Sequence, residues 1–172
     1  MASLENLLNK ISQKTYAVSI MLTIGVTSMA TLIGLNIFGL PVTINNQKIS
    51  MQNIFLHNIV ISLILILSVF TFGIISNLLL IYNFFVFGVK TRALLEQYGL
   101  DALTHKVLIH GVFEIPVMIL TGAVGSYLLV QKITKESIKI NFKLFKLMIK
   151  IFIIAIILSA IAAYIEVNFS MK

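Results

Sequence analysis

Residues 54–89 run for about 36 positions without one charged side chain. As a single α-helix they would reach roughly 54 Å, against a bilayer hydrocarbon core of about 30 Å. No soluble domain can hide a run like this beside the others in the chain. Of the 172 residues, 59% are hydrophobic and only 11% are charged, where a soluble domain carries about 25% charged residues. Too little polar surface remains to coat a globule, so the solvent is lipid. Lipid offers the backbone no hydrogen bonds, which restricts spanning segments to helices or a closed barrel. The apolar runs are continuous rather than alternating, so helices are expected.

The run 54–89 is too long for one crossing. It either breaks near Gly73 into two spans or projects well beyond the bilayer as one helix. Further spans are expected at 16–40, 107–130 and 144–166. A break near Gly73 makes five spans in all. A rival topology keeps one long second helix and lets 107–130 dip in and return, with Gly111 and Pro116 permitting the turn. Pro41 ends the first span, and the polar segment 41–53 reads as an outside loop. Ala30 with Gly34, Gly122 with Ser126, and Thr121 with Gly125 are small residues four apart, the pattern that lets helices approach closely. Ahead of the first span, Leu4, Leu7, Leu8 and Ile11 share one helical face, with Ser3 placed to cap and Glu5 in the first turn. Residues 1–15 are therefore expected to form an interfacial amphipathic helix, and 16–172 a single transmembrane domain. The run from Tyr16 is too long for a signal-peptide core and reads as a retained span. The expected class is an all-α polytopic bundle of about five spans, one of them broken or re-entrant.

The net charge is +7 and the chain has no cysteine. Disulfides, thiolate metal sites and cysteine nucleophiles are excluded. The charge is patchy, and without a soluble core to carry a basic face it points away from nucleic acid. Lys132, Lys135, Lys139, Lys143, Lys146 and Lys150 face a single acid, Glu136. Segment 131–150 should therefore be cytoplasmic, with the N-terminus inside and the C-terminus outside. Lys139, Lys143, Lys146 and Lys150 fall on one helical face, a docking stripe for an acidic partner or anionic lipid, or simply a solvated anchor.

Within the span 107–130 stand His110 and Glu114, one helical turn apart. A charge at the centre of an inserting helix costs roughly 2.5–3.5 kcal/mol, so such a pair needs a partner or a use. Pro116 lacks an N–H and frees the carbonyl of Val112, and Gly111 leaves room for a neighbour. Asn77 or Asn83 of the preceding run could complete the hydrogen bonds of Glu114, which is the structural reading. Glu114 acting as a base with His110 is the chemical reading. Asp101 and His105 are also four apart, and form a weak metal candidate because the spacing matches no zinc pattern. A third role is recognition of a peptide or lipid passing between helices. No cofactor is expected.

The motif HGVFEIP at 110–116, followed by the small-residue run TGAVG, resembles the signature of the stage II sporulation protein M family: His110, Gly111, Glu114 and Pro116 match it. The resemblance covers about residues 53–130. Asn58, Gly73, Asn83 and Gly88 are weaker matches. Phe84 stands where the family often has glycine after the asparagine, and Ile109 where a proline often precedes the histidine. The resemblance implies a small multi-span membrane protein working in a hetero- or homo-oligomeric complex, with Asn58, Asn77, Asn83, Gly111 and Pro116 in packing or substrate contacts. Sporulation members belong to the engulfment machinery. Others accompany circular bacteriocins and an ABC-type ATPase, and serve peptide maturation, export or self-protection. The chain has no P-loop, so ATP hydrolysis would come from the partner. Three functions follow: a peptide-handling subunit beside an ABC-type ATPase, a membrane peptidase or cyclase using Glu114 and His110, and a sporulation assembly factor. The partners expected are membrane lipid, the ATPase subunit, other small membrane proteins and a peptide.

Overall fold

The computed structural model describes residues 2–37, 50–103, 109–135, 138, 140 and 142–170, with side chains described at 13–37, 50–100, 111–135, 138, 140 and 142–168. Every element among them is helical: α1 (Ala2–Leu35), α2 (Met51–Leu67), a 3-10 turn (Ser68–Thr71), α3 (Ile74–Leu103), α4 (Ile109–Gly125), α5 (Tyr127–Ile133), α6 (Phe142–Ile165) and a π-helical turn (Glu166–Ser170). Among the described residues four helices are long and apolar enough to cross a bilayer unbroken, and the bent pair α4–α5 is a fifth candidate when taken as one span. Their outward faces are apolar too, with Met21 72%, Leu78 63% and Ile157 55% exposed. Helices apolar all round belong in lipid.

The long run breaks where its length demanded. Ser50 caps α2, accepting from the Asn53 amide at 3.2 Å. The helix then tightens into the 3-10 turn, and the chain reverses through Phe72 (φ 51°) and Gly73 (φ 73°), both left-handed. Ser68 anchors the reversal. Its hydroxyl donates to the Leu65 carbonyl at 2.6 Å, and its own carbonyl accepts from the Gly73 amide at 2.9 Å.

Three expectations need correction. Residues 2–15 do not form a helix of their own, because α1 runs uninterrupted from Ala2 into the first span. The polar segment after residue 89 is not a connection at its start. Helix α3 continues through it to Leu103, kinked at Gly99 (φ 76°), because Ala93 and Leu94 keep a buried face and Arg92 pairs with Glu96 at 2.7 Å on the exposed one. Finally, Gly111 and Pro116 both lie inside α4, and the deflection comes later, at Ser126. It measures 53°. The break falls at a close backbone contact. A Cβ on Gly125 would strike the Leu65 carbonyl oxygen and Ser68 Oγ, and one on Gly73 would lie 2.8 Å from the Ser126 Cα.

Helix α1 docks along α3 by the same device. Gly34 and Gly88 face one another, and a Cβ on either would strike the other helix's backbone, at the Phe85 or Thr31 carbonyl oxygen. Its buried stripe carries Thr15, Ser19, Thr23 and Thr27. The hydroxyls of Thr23, Thr27 and Thr31 donate to the carbonyls four residues back, at 2.8, 2.9 and 2.9 Å. Tyr16 reaches across to the Leu120 carbonyl of α4 at 3.2 Å.

These contacts give the bundle two ends. One holds the Ser68–Gly73 turn, α5 and the start of α6, sealed by Ile66, Val69, Val124, Leu128, Leu144 and Met148. Lys132, Lys143, Lys146 and Lys150 sit at this lysine end. The other end gathers the close of α1, the starts of α2 and α4, the far half of α3 and the close of α6.

Candidate functional site

At this second end the helices part. Helices α2, α3, α4 and α6 surround a cleft of about 670 Å³, within the range of small-ligand sites, about 300–1,000 Å³. Most of its exposed surface is apolar, with Ile54, Phe84, Phe87 and Met118 among the walls, while about half of the lining residues are polar. Its polar members come from all four helices. Asn58 of α2 donates its side-chain amide to Glu114 Oε1 of α4, a bond spanning 56 residues of sequence. Asn83 and Lys90 come from α3, Ser159 from α6, Glu166 from the π-helical turn after it, and His57 stands beside Asn58. The hydroxyls of Ser159 and Thr91 line this cleft and are buried with no hydrogen-bond partner. Unpaired donors at such a site are uncommon in native folds and suit a ligand that supplies acceptors.

The sequence candidates scatter in an instructive way. Glu114 faces the cleft, as does Gly111 one turn before it. A Cβ at Gly111 would meet Ile115 Cδ1 at 3.2 Å, so the glycine spares a tight contact at the cleft wall. Pro116 is exposed and lies outside the lining. Asn83 is in the cleft, with its amide donating to the Leu79 carbonyl at 2.8 Å. Asn77, expected as an alternative partner of Glu114, is at the lysine end, donating to the Gly73 carbonyl at 2.8 Å and to Ser126 Oγ at 3.2 Å. The partner found for Glu114 is Asn58, because α2 rather than α3 packs against the start of α4. His110 lies in the first turn of α4, and its side chain falls outside the described residues. The same holds for the side chain of Asp101 and for all of His105 and Lys139. Among the described residues no three histidine or acidic side chains group for a metal ion.

The chain matches the family described as Stage II sporulation protein M over residues 2–171. It belongs to that family. The match extends well beyond the 53–130 stretch that carries the resemblance, from the start of α1 to the π-helical turn. No curated protein and no solved structure matches the chain. In this member of the Stage II sporulation protein M family, the residues of the resemblance take two positions. Asn58, Asn83, Gly111 and Glu114 surround the cleft, with Gly88 at the adjoining α1–α3 crossing. Gly73 makes the turn at the opposite end.

Sequence reasoning missed His57, Lys90, Ser159 and Glu166. Lys90 and Glu166 looked like ordinary span-end charges, and His57 like an isolated polar residue. Only the convergence of four helices gives them a common address. The lysine stripe is partly placed. Lys143, Lys146 and Lys150 project from the first turns of α6, with the Lys146 ammonium 4.8 Å from the Phe142 ring centroid.

Proposed function

We propose that this chain is the membrane subunit of a complex that handles an apolar peptide at the Asn58–Glu114 cleft, working with an ABC-type ATPase in the maturation, export or immunity of a circular bacteriocin. One observation carries the reading. A carboxylate inside an apolar span is costly, and here it faces a ligand-sized cleft whose exposed surface is mostly apolar and whose lining is about half polar residues. That is the combination expected where an apolar ligand must be held and oriented. The lysine end sets the orientation through the excess of basic residues on the cytoplasmic side. With that end inside, the N-terminus is cytoplasmic, the close of α6 lies outside, and the cleft occupies the outer half of the bilayer. An ATPase would dock on the inner face at Lys143 and Lys146, with Lys139 joining them by sequence spacing alone, at the opposite end of the bundle from the cleft. Helices α2 and α6, which run between the two ends, would connect them.

Co-purification in mild detergent tests the reading. The unmodified chain should bring down an ATPase subunit, and charge reversal at Lys139, Lys143 and Lys146 should abolish that while insertion is unchanged. Glu114→Gln should lose peptide retention with the ATPase still bound. Normal ATPase recruitment by the triple variant would remove the docking part of the proposal.

The same carboxylate supports a second reading, a membrane peptidase or cyclase with Glu114 as general base. Incubating the purified complex with precursor peptide separates the two. Cleavage or ring closure that stops in Glu114→Gln favours the enzyme, and binding without turnover favours the transport subunit.

A further inference from the structure

Beside Glu114 the cleft offers hydrogen-bond acceptors. Glu114 is half-buried and lines the cleft, as do Asn58 and Asn83. Both asparagines turn their amide nitrogens onto the protein itself. Asn58 donates to Glu114 Oε1, and Asn83 to the Leu79 carbonyl at 2.8 Å. Among the described residues nothing donates to the side-chain carbonyl oxygen of either. Each of these oxygens keeps accessible surface, whereas the hydroxyls of Ser159 and Thr91 and the Oε2 of Glu166 are buried. Lys90 does not neutralise Glu114. It is exposed, forms no ion pair among the described residues, and stands seven positions beyond Asn83, about 10 Å farther along α3 by helix rise.

We infer that the cleft takes its peptide by the free amino terminus. The terminal ammonium lies against Glu114 and Asn58 Oδ1, and Asn83 Oδ1 accepts a further N–H from the ammonium or from the first peptide bond. Complementarity decides the ligand. A carboxylate with two carbonyl oxygens calls for a cation with several donors, and a primary ammonium carries three N–H bonds and one positive charge. Such charge-assisted bonds are stronger than neutral ones, and more so away from water. A phosphate or carboxylate would be repelled by Glu114, and an internal amide offers one neutral donor. The side chains that follow the terminus run along Phe84, Phe87 and Met118. The inference rests on the reading of the cleft as a peptide site, and adds which end of the peptide it holds. A closed ring has no amino terminus, so the site holds the linear form and lets the ring go.

Fluorescence anisotropy with the full chain in phosphatidylcholine nanodiscs tests this, with empty nanodiscs as background. The probes are one apolar hexapeptide of leucine and alanine, labelled at its C-terminus, with the amino terminus free or acetylated. The free form should bind about tenfold more tightly, the strength of one charge-assisted hydrogen bond. Glu114→Gln should weaken the free form to the level of the acetylated one. Unchanged binding of the acetylated form in that variant shows that its cleft is intact. Equal binding of the two forms to the unmodified chain would overturn the inference and leave the peptide site standing. Saturable binding of neither form would remove the peptide site and the inference with it. An acetylated peptide carrying one lysine that binds as tightly as the free form would assign the ammonium to a side chain. Loss of free-peptide binding when the nanodiscs contain phosphatidylethanolamine would assign it to a lipid headgroup. Either result overturns the role of the terminus.

Discussion

At the lysine end the helices meet backbone to backbone. Gly125 presses on Leu65 and Ser68, and Gly73 on Ser126. At the cleft end α2 and α4 also meet, but through Asn58 and Glu114, and α3 reaches them through the side chains of Phe84 and Phe87. In water, the first kind of contact would gain from burying apolar surface. In lipid that gain is absent, and close association rests on dispersion and hydrogen bonding. A helix pair in this molecule therefore closes where glycine or serine removes the obstacle. Beside the cleft, Gly34 and Gly88 close α1 on α3 in the same way, whereas α2 and α4 are joined there by side chains.

That contrast can be broken at either end, and the expected effects are graded. Gly125→Leu places a branched side chain where even a Cβ collides with backbone, and it should cost about 3 kcal/mol or more, or prevent assembly. Size-exclusion profiles and thermal unfolding in detergent would show it. Glu114→Ala removes the acceptor for Asn58 and should cost about 1–3 kcal/mol. Glu114→Gln keeps an acceptor and should cost less than about 1 kcal/mol by the same unfolding measurement. Equal losses in the two would show that the charge itself holds the cleft end together. Gly25 has no atom within 4 Å of a Cβ. Gly25→Ala should therefore stabilise α1 by up to about 1 kcal/mol through helix propensity alone, which would confirm that the glycines matter for contact and not for flexibility. Thr23→Val, which removes a hydroxyl bonded only within its own helix, should shift stability by about 0.5 kcal/mol or less. A larger loss would reveal a cross-helix role for the stripe.

How much of this was legible depended on the range of the cause. Arithmetic on helix rise and bilayer thickness left two outcomes for residues 54–89, a break near Gly73 or one projecting helix, and the chain takes the break. The identity of the turn does not follow, since phenylalanine carries no turn signature, and Phe72 takes its conformation from the packing around it. Ala30, Gly34, Gly122 and Gly125 announced close approach, but small residues do not name the helix they receive. Gly88 opposite Gly34, and Leu65 opposite Gly125, are facts of topology. At the site, Glu114 was legible because an acid in an apolar run is conspicuous by itself. Its partner was not. Asn58, Asn77 and Asn83 are equivalent on paper, and the choice turns on which helix lies against the start of α4. Lys90, Ser159 and Glu166 were invisible for the same reason.

The hydroxyl stripe of α1 bears on how the protein is made. Thr23, Thr27 and Thr31 are satisfied by carbonyls of their own helix, so they need nothing from segments still to be synthesised. This span, made before α2 to α6, can thus enter the bilayer with these groups already content, and wait there. Its lasting neighbours arrive later, when α3 brings Gly88 and α4 brings the carbonyl that Tyr16 meets. A helix that carried its polar groups as cross-links would have to find them while alone in lipid. This one carries three of them, Thr23, Thr27 and Thr31, as internal staples, and for these the order of synthesis becomes a workable order of assembly.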